Sequence, residues 1–275
     1  MKLVLVCLRA ARLLVHILYA LALACVFPAF GADRKRKTMQ RWSVKLLQIL
    51  HVHLHAQGHH LAAAATGRLL VANHISWLDV FVLNATTPAR FVAKSEVGGW
   101  PLIGVLVRRT GTLLIRREYR RDSSRINQAL GQCLRRGEDV AVFPQGTSTD
   151  ASQPVHFHSA LLQAAIDVGA PVQPVAIVYH DGNAEPLPDV AFTGDMTFVQ
   201  SLWKMLCLAQ IHANAVYLPP CQEPQATRRA VARHAQEAVN ARLGLLACEA
   251  APTLLHCHPD STTSVQANYG QATAS

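Results

Sequence analysis

The stretch LLVANHISWLD, residues 69–79, decides the fold, because it joins a buried strand to a helix through a polar turn. Its first four residues are apolar without alternation, which is typical of a strand covered on both faces. The strand stops at Asn73 and His74, and a helix can begin near Ser76. Short apolar runs alternate with helical patterns over residues 69–218, which predicts an α/β domain with a mixed sheet flanked by helices.

Five further elements are predicted from the same patterns. A capped helix after Asp122 and a surface helix at 226–246 each have one apolar face, and Gly137 lies where the first helix would end. We expect strands at 140–143 and 172–179 and a helix near 158–168. The inward residues of the two longer helices are predicted to be Ile126, Leu130, Cys133 and Leu134 in the first, and Val231, Ala235 and Val239 in the second.

Composition excludes several classes of protein. The 275 residues are 51% hydrophobic and 16% charged, which excludes a disordered or collagen-like chain. The seven cysteines are scattered and form no C-x-x-C pair, so neither a disulfide framework nor a cysteine zinc site is expected. A reducing compartment fits this cysteine usage better.

The N-terminal arm is both apolar and basic. Residues 1–50 hold nine Lys/Arg and one Asp, whereas residues 51–275 hold seventeen Lys/Arg and sixteen Asp/Glu. Residues 13–32 carry no formal charge and would span about 30 Å as a helix, the thickness of a hydrocarbon core. Basic residues from Arg34 onward, with Trp42 among them, are typical of a membrane interface. The pattern predicts a membrane-associated helical arm, with the remainder of the chain on the cytoplasmic face of the inner membrane.

Two alternatives remain for this arm. It could be a cleaved signal peptide, although the basic residues directly after it argue against export. It could also enter only one leaflet, since Pro28 breaks the helix near its end. The predicted organisation is a hydrophobic membrane segment (1–32), a basic interfacial helical linker (33–68), the main domain (69–248) and a disordered tail (249–275).

His74 and Asp79 can form a catalytic pair. A histidine just outside a helix can reach a carboxylate five residues on, although the two would point apart within one helix. The carboxylate would fix the imidazole tautomer and leave Nε2 as a base that can take a proton from an alcohol. The alternative is purely structural, because Ser76 and Asp79 also fit a capping box.

Two other blocks come after strand-like runs. Phe143-Pro144-Gln145-Gly146-Thr147-Ser148-Thr149 offers a close backbone approach, hydroxyls and N–H groups to a polar or anionic headgroup. Residues 111–117 are an apolar run that ends in Arg116 and Arg117, and arginine binds phosphate or carboxylate through two hydrogen bonds.

In this order and spacing, the blocks resemble the glycerolipid (lysophospholipid) acyltransferase family, typified by 1-acylglycerol-3-phosphate O-acyltransferases. The family's N-H-x-x-x-x-D block matches 73–79, its G-x-x-x-x-x-R block matches 111–117, its F-P-E-G-T block matches 143–147 with one change, and its V-x-P-V block matches 172–175. Residues 91–96 and 99–104 are also similar to this family. The resemblance covers residues 69–180.

The resemblance implies O-acyl transfer without a covalent acyl-enzyme. His74 would deprotonate the hydroxyl of a lysolipid and Asp79 would orient the imidazole. The acceptor's headgroup would be bound by Arg117, Gln145, Gly146 and Thr147, with Lys94 as a further candidate. The co-substrate would be acyl-CoA or acyl-carrier protein, the partners membrane lipids and the lysolipid, and no cofactor is expected.

The sequence departs from the family pattern at two positions. Gln145 replaces the family's Glu, and Arg116 stands where Asp is common, so each change removes a negative charge from the expected headgroup pocket. One hypothesis is an acceptor other than lysophosphatidate, because residues 93–96, 99–101 and 146–150 are most similar to the branch that acylates lyso-ornithine lipid. The other hypothesis is impaired activity.

Other functions stay open as alternatives. A non-catalytic lipid-binding protein on the same fold would turn over no lysolipid, and a lipid or thioester hydrolase would release free fatty acid without an acceptor. The histidines at 51, 53, 55, 59 and 60 lack an accompanying carboxylate or cysteine, so we expect a linking helix there rather than a metal site. The chain has no nucleic-acid reading module, and no such partner is expected.

Overall fold

The computed structural model describes residues 2–58, 67–116, 120–150, 152–221 and 227–250. Its helices are α1 (Lys2–Val26), α2 (Ala32–Ile49), α3 (Asp79–Thr86), α4 (Ile103–Arg109), α5 (Arg120–Arg135), α6 (Gln163–Ile166), α7 (Phe198–Cys207) and α8 (Arg228–Ala250). Its strands are β1 (Val52–Gln57), β2 (Leu69–Ala72), β3 (Arg90–Lys94), β4 (Leu113–Ile115), β5 (Val140–Val142), β6 (Val172–His180) and β7 (Ile211–Tyr217).

The seven strands that the structure describes form one mixed sheet in the order β1-β7-β6-β2-β5-β3-β4. The five strands from β6 to β4 are parallel, whereas β7 runs antiparallel to β6 and pairs in parallel with β1. The predicted mixed α/β fold is therefore confirmed. Because β6, β2, β5, β3 and β4 share one direction, their carboxyl ends meet at one edge, where ligands bind in such sheets.

Strand β2 lies at the centre, and all four of its residues are fully buried. Leu69 and Val71 face a core built with α5 and α8, whereas Leu70 and Ala72 face a second core built with α2, α3 and α7. A strand covered on both faces has no polar side, which explains its unbroken apolar sequence. All the predicted inward residues of α5 and α8 are buried, and Gly137 after α5 adopts a positive φ of 74°.

The helical prediction is wrong at Val52–Gln57, which forms β1. Here burial alternates, with Val52 inward and His53 outward, and the strand pairs with β7 from Val52↔Ile211 onward. A period of two is the pattern of a strand, so His53 and His55 lie on the same outward face of β1. The helix near 158–168 is also shorter than predicted, because a 3-10 turn (Ala160–Leu162) precedes α6.

The outward histidines of β1 stack with neighbours on β7 and β6. The ring centroids of His53 and His212 are 4.9 Å apart, and those of His180 and His212 are 5.2 Å apart. Within the described parts of the chain, no three His, Cys, Asp or Glu side chains are arranged to hold a metal ion. Residues 59–66, with His59 and His60, and residues 251–275, which make up all but the first two positions of the predicted tail, lie outside the described residues.

The N-terminal arm is a long helix that packs along the domain. Residues Leu3–Ala29 are long and apolar enough to cross a bilayer. Yet Arg9 is buried and donates hydrogen bonds to the carbonyls of Leu206 (3.1 Å), Leu208 (2.5 Å) and Ala209 (3.1 Å) at the end of α7. Further along, His16 stacks on Trp42 of α2 at 4.6 Å. The opposite face of α1 is exposed and apolar, with Leu3, Val4, Leu5, Leu8, Leu14, Val15, Leu18, Tyr19 and Val26 among its residues.

The buried face of α5 yields a stability prediction. Leu130 is fully buried, so Leu130→Ala leaves a cavity and is expected to lower the free energy of unfolding by about 2–5 kcal/mol. Gln132→Ala, on the exposed face of the same helix, is the matched control and is expected to stay within about 0.5 kcal/mol. Denaturant titration in detergent measures both, and equal midpoints for the two variants would contradict this packing.

Candidate active site

The turn after β2 is anchored to β6 by a buried asparagine. Asn73 is 1% exposed, and its amide nitrogen donates to the carbonyl of Ile177 (2.8 Å). Its amide oxygen accepts the N–H of Ile177 at 2.7 Å. A side chain that satisfies both polar groups of a facing residue extends the sheet ladder beyond β2. The next residue, His74, therefore starts from a fixed backbone position.

His74 and Asp79 are in direct contact. Nδ1 of His74 lies 2.8 Å from Oδ2 of Asp79, which is the first residue of α3 and is fully buried. The same oxygen accepts the backbone N–H groups of Ile75 (2.7 Å) and Ser76 (3.0 Å). A carboxylate is an acceptor, so Nδ1 carries the proton and Nε2 is left as an acceptor. Nε2 has no hydrogen-bond partner among the described residues, and the His74 side chain is 21% exposed.

The capping-box alternative accounts for only part of this arrangement. Asp79 does accept the N–H of Ser76, which is one half of a capping box. The other half is absent, since the buried Ser76 hydroxyl has no partner within the part of the chain described. The residue before α3 is Leu78, which forms no side-chain cap. The structural alternative therefore leaves the bond from Asp79 to the imidazole unexplained.

A second side chain on Asp79 was missed by the sequence reasoning. The hydroxyl of Tyr179, near the end of β6, donates to Oδ1 of Asp79 at 2.6 Å. Burial, together with the charge of Asp79 and this hydrogen bond, raises the pKa of Tyr179 well above its ordinary value. The phenol consequently remains a protonated donor. Its only sequence signal was its place at the end of a predicted strand.

The turn after β5 packs against the His74 turn. The Phe143 ring stacks on the imidazole of His74, with 4.2 Å between centroids and 13° between planes. The N–H of Thr149 donates to the carbonyl of His74 at 2.9 Å. Gly146 adopts a φ of 84°, a left-handed conformation that favours glycine. Aromatic stacking and a backbone bond thus hold the two predicted blocks together.

Gln145 connects these two turns through both ends of its amide. Oε1 accepts the N–H of His74 at 2.6 Å, and Nε2 donates to Oγ1 of Thr149 at 3.2 Å. The oxygen is identified by its donor, since a backbone N–H requires an acceptor. Because Thr149 receives this bond, its own hydroxyl proton points elsewhere. Gln145 therefore links the turn after β5 to the turn after β2, which carries His74.

The other predicted site residues that the structure describes lie at or just after the carboxyl ends of β3, β4 and β5. Thr147 is exposed on the β5 turn, and Lys94 is exposed at the end of β3, with no hydrogen bond or ion pair to any described residue. Gly146 follows Gln145 in the same turn. Arg116 directly follows β4, and Arg117 lies outside the described residues. Their roles stay predictions.

This arrangement can perform general base chemistry. A neutral imidazole with one edge accessible and the other bonded to a buried carboxylate can take a proton from a hydroxyl and stabilise the charge that results. Such a base typically contributes about 10²–10⁴-fold to a rate. Positioning of the two substrates would have to supply much of the remainder.

Comparison with known proteins identifies relatives of this chain. A family model described as "Acyltransferase" matches residues 53–178. The lyso-ornithine lipid O-acyltransferase of Pseudomonas aeruginosa is 36% identical over 253 residues, which cover 90% of this chain and 95% of that protein. The 1-acyl-sn-glycerol-3-phosphate acyltransferase of Neisseria gonorrhoeae is 38% identical over 147 residues, covering 53% of this chain and 56% of that one.

The fold has a solved counterpart as well. The crystal structure of the 1-acyl-sn-glycerophosphate acyltransferase PlsC from Thermotoga maritima superimposes with a TM-score of 0.58 at 19% identity, covering 86% of this chain and 97% of that one. At this identity the likeness concerns the fold alone. The match to the Pseudomonas protein extends over nearly all of both chains, and the chain therefore belongs to the acyltransferase family.

Proposed function

We propose that the protein transfers a fatty acyl chain from an acyl thioester to the free hydroxyl of a lysolipid, either lyso-ornithine lipid or lysophosphatidate. The observation that carries the proposal is the 2.8 Å contact between His74 and the buried Asp79, at the sheet edge where ligands bind. The names of the Pseudomonas and Neisseria relatives support a lysolipid acceptor. The Pseudomonas relative, which matches over the greater length, favours lyso-ornithine lipid.

In the proposed reaction Nε2 of His74 takes the proton of the acceptor's hydroxyl. The oxygen attacks the thioester carbonyl, and the C–S bond breaks as the new ester forms. The proton then passes from the imidazolium to the thiolate of the leaving group, which restores the neutral base. Asp79 stabilises the imidazolium between these steps, and no acyl-enzyme forms. The thioester is acyl-CoA or acyl-carrier protein.

The acceptor's headgroup is proposed to lie over the β5 turn. Gly146 and Thr147 are accessible there, and Lys94 at the end of β3 supplies a cation. Arg117 is proposed as a second cation because it follows, by two residues in sequence, the strand β4, which ends at this edge. Arginine and lysine suit an anionic headgroup, whether phosphate or carboxylate. Gln145 supports this turn without being needed as a direct headgroup ligand.

We further propose that α1 lies in one leaflet on the cytoplasmic side and does not cross the bilayer. Arg9 lies within α1 and donates hydrogen bonds to carbonyls of the domain. If α1 crossed the bilayer, these bonds would be lost and the charge of Arg9 would be buried in hydrocarbon without a partner. The stack of His16 on Trp42 holds a later turn of the helix against α2. The exposed apolar face of α1 is left to contact lipid, in the manner of an interfacial helix.

The catalytic assignment is tested by removing the base. His74→Ala is expected to lower transfer of a labelled acyl chain at least about 100-fold, because no other group would take the hydroxyl proton. His234→Ala, which changes an exposed histidine on α8, is the control and should retain full transfer. Both variants should bind vesicles like the parent. Undiminished transfer by His74→Ala would refute the mechanism, and release of free fatty acid without acceptor would indicate a hydrolase.

Substitutions at Gln145 distinguish its hydrogen bonds to the two turns from the effect of charge at this position. Gln145→Glu retains an acceptor for the N–H of His74, so we expect it to remain active. Its added charge should lower kcat/KM for lysophosphatidate about threefold relative to lyso-ornithine lipid, because repulsion grows with headgroup charge. Gln145→Leu, which removes the brace without adding charge, should lower both values about equally. Equal acceptor ratios in the parent and Gln145→Glu would rule out an effect of this charge on the headgroup.

The membrane arrangement is tested by protease access to terminal tags. In inverted inner-membrane vesicles, tags at both ends are expected to be cleaved by added protease, because α1 lies on the same side as the domain. In spheroplasts both tags should be protected. Detergent provides the control, since it should expose every tag. An N-terminal tag protected in inverted vesicles while the C-terminal tag is cut would show that α1 crosses the bilayer.

A further inference from the structure

Asp79 receives donors on both carboxylate oxygens. Oδ2 accepts from Ile75, Ser76 and the imidazole of His74, all within its own turn. Oδ1 accepts from Tyr179, which is 100 residues away in sequence and belongs to β6. Tyr179 therefore supplies the single bond that reaches Asp79 from outside the 74–79 turn, among the contacts the structure describes.

Tyr179 is placed rigidly enough to fix that oxygen. It is 3% exposed and pairs with Ala213 in the antiparallel ladder between β6 and β7. Two residues earlier on the same strand, Ile177 is bonded to the side chain of Asn73. One strand thus anchors both the start of the turn that carries His74 and the carboxylate at the turn's end.

We propose that Tyr179 is a positioning residue for the acyl transfer, which acts through Asp79 to set the pH at which the His74–Asp79 pair becomes a competent base. This inference rests on the proposed function, since it assigns a partner to the same pair. Because Tyr179 is 3% exposed and its hydroxyl is bonded to Asp79, we assign it an effect through the carboxylate and not a catalytic role of its own. A phenol beside an ionised carboxylate stabilises the ionised form by hydrogen bonding.

The direction of the effect is set by charge. With a neutral imidazole the pair carries one negative charge, and with a bound proton it carries none. The phenol donor stabilises the negatively charged state more strongly, wherever in the pair the added proton resides. Removing the donor therefore makes the pair harder to deprotonate, and the acidic limb of the pH–rate profile moves to higher pH.

The surroundings of the pair contain few other groups that could produce such a shift. Among the described residues that bond to or stack on the His74–Asp79 pair, Tyr179 is the one with a titratable side chain. Phe143 and Gln145, from the turn after β5, are neutral. Within the turn that leads to α3, the remaining bonds to Asp79 come from the backbone amides of Ile75 and Ser76.

The chain offers a matched control for the hydroxyl. Tyr217 on β7 is also buried, faces the same core as Tyr179, and bonds through its hydroxyl to Oγ1 of Thr86 rather than to Asp79. Burial likewise raises the pKa of Tyr217. Tyr217→Phe and Tyr179→Phe therefore each remove one buried phenol oxygen from adjacent strands. Only Tyr179→Phe deprives Asp79 of a donor.

The experiment measures kcat/KM for acyl transfer to a lysolipid from pH 5 to pH 9, with the parent and both variants in the same detergent. Tyr179→Phe is expected to lower kcat/KM at neutral pH about tenfold and to move the acidic limb up by about half a pH unit or more. Tyr217→Phe should leave the limb where it is. Melting temperatures establish that both variants fold and how far each loses stability.

A second substitution tests the idea without creating a cavity. Replacing Tyr179 by 3-fluorotyrosine makes the phenol a stronger acid and hence a stronger donor, so the acidic limb should move to lower pH, opposite to Tyr179→Phe. In addition, Tyr179→Phe combined with Asp79→Asn should be no slower than Asp79→Asn alone, because residues that act through one another are not additive.

The outcomes separate this inference from the proposed function. Limb shifts in opposite directions for the two Tyr179 variants, with an unmoved limb for Tyr217→Phe, would support it. If the parent is active and His74→Ala is inactive, but both Tyr179 variants keep the parent's limb, this inference is overturned and the proposed function stands. If His74→Ala transfers acyl chains as the parent does, the proposed function fails first.

Discussion

The buried carboxylate of Asp79 is the constraint on which the site depends. An ionised carboxylate taken fully out of water must be compensated by donors, or it would be protonated. Four donors surround Asp79, and they come from two backbone amides, the imidazole of His74 and the phenol of Tyr179. Each bond also fixes a piece of the fold, since the donors lie on the turn after β2 and on β6, while Asp79 itself begins α3.

The surrounding bonds give the imidazole a defined position on all but one edge. Phe143 covers one face of the ring, Asp79 holds Nδ1, and Gln145 holds the backbone nitrogen of the same residue. The turns after β2 and β5 come from neighbouring parallel strands, so their carboxyl ends meet without any long connection. Strand order therefore brings the two turns together. The contacts between the turns then fix the position of the imidazole.

Much of this arrangement could be predicted from sequence because its signals are local. The strand at 69–72, the apolar faces of α5 and α8, and the contact between His74 and Asp79 are each encoded within a few neighbouring residues. The order and spacing of the blocks then carried the resemblance to the acyltransferase family. Residues whose role depends only on a short segment, such as Leu130 on its helix face, were identified for the same reason.

The features that were missed depend on contacts distant in sequence. Tyr179 looked like any aromatic residue at a strand end, because its partner is 100 residues away. The histidine-rich segment at 51–55 was assigned to a helix, whereas pairing with β7 makes it a strand. Gln145 was interpreted through its lost charge, but its amide is used in bonds to His74 and Thr149 that no local pattern reveals.

The two hydrogen bonds between the Asn73 side chain and the backbone of Ile177 also constrain the register of β6 against β2. Successive residues of a strand face opposite sides, so sliding β6 past β2 by a single position would turn the tyrosine hydroxyl away from the carboxylate. The same slip would turn Val175 and Ile177 away from the core that they share with Tyr179. The alignment of β6 with β2 is therefore required by packing and by chemistry together, and a substitution that preserves the core also preserves the position of the phenol.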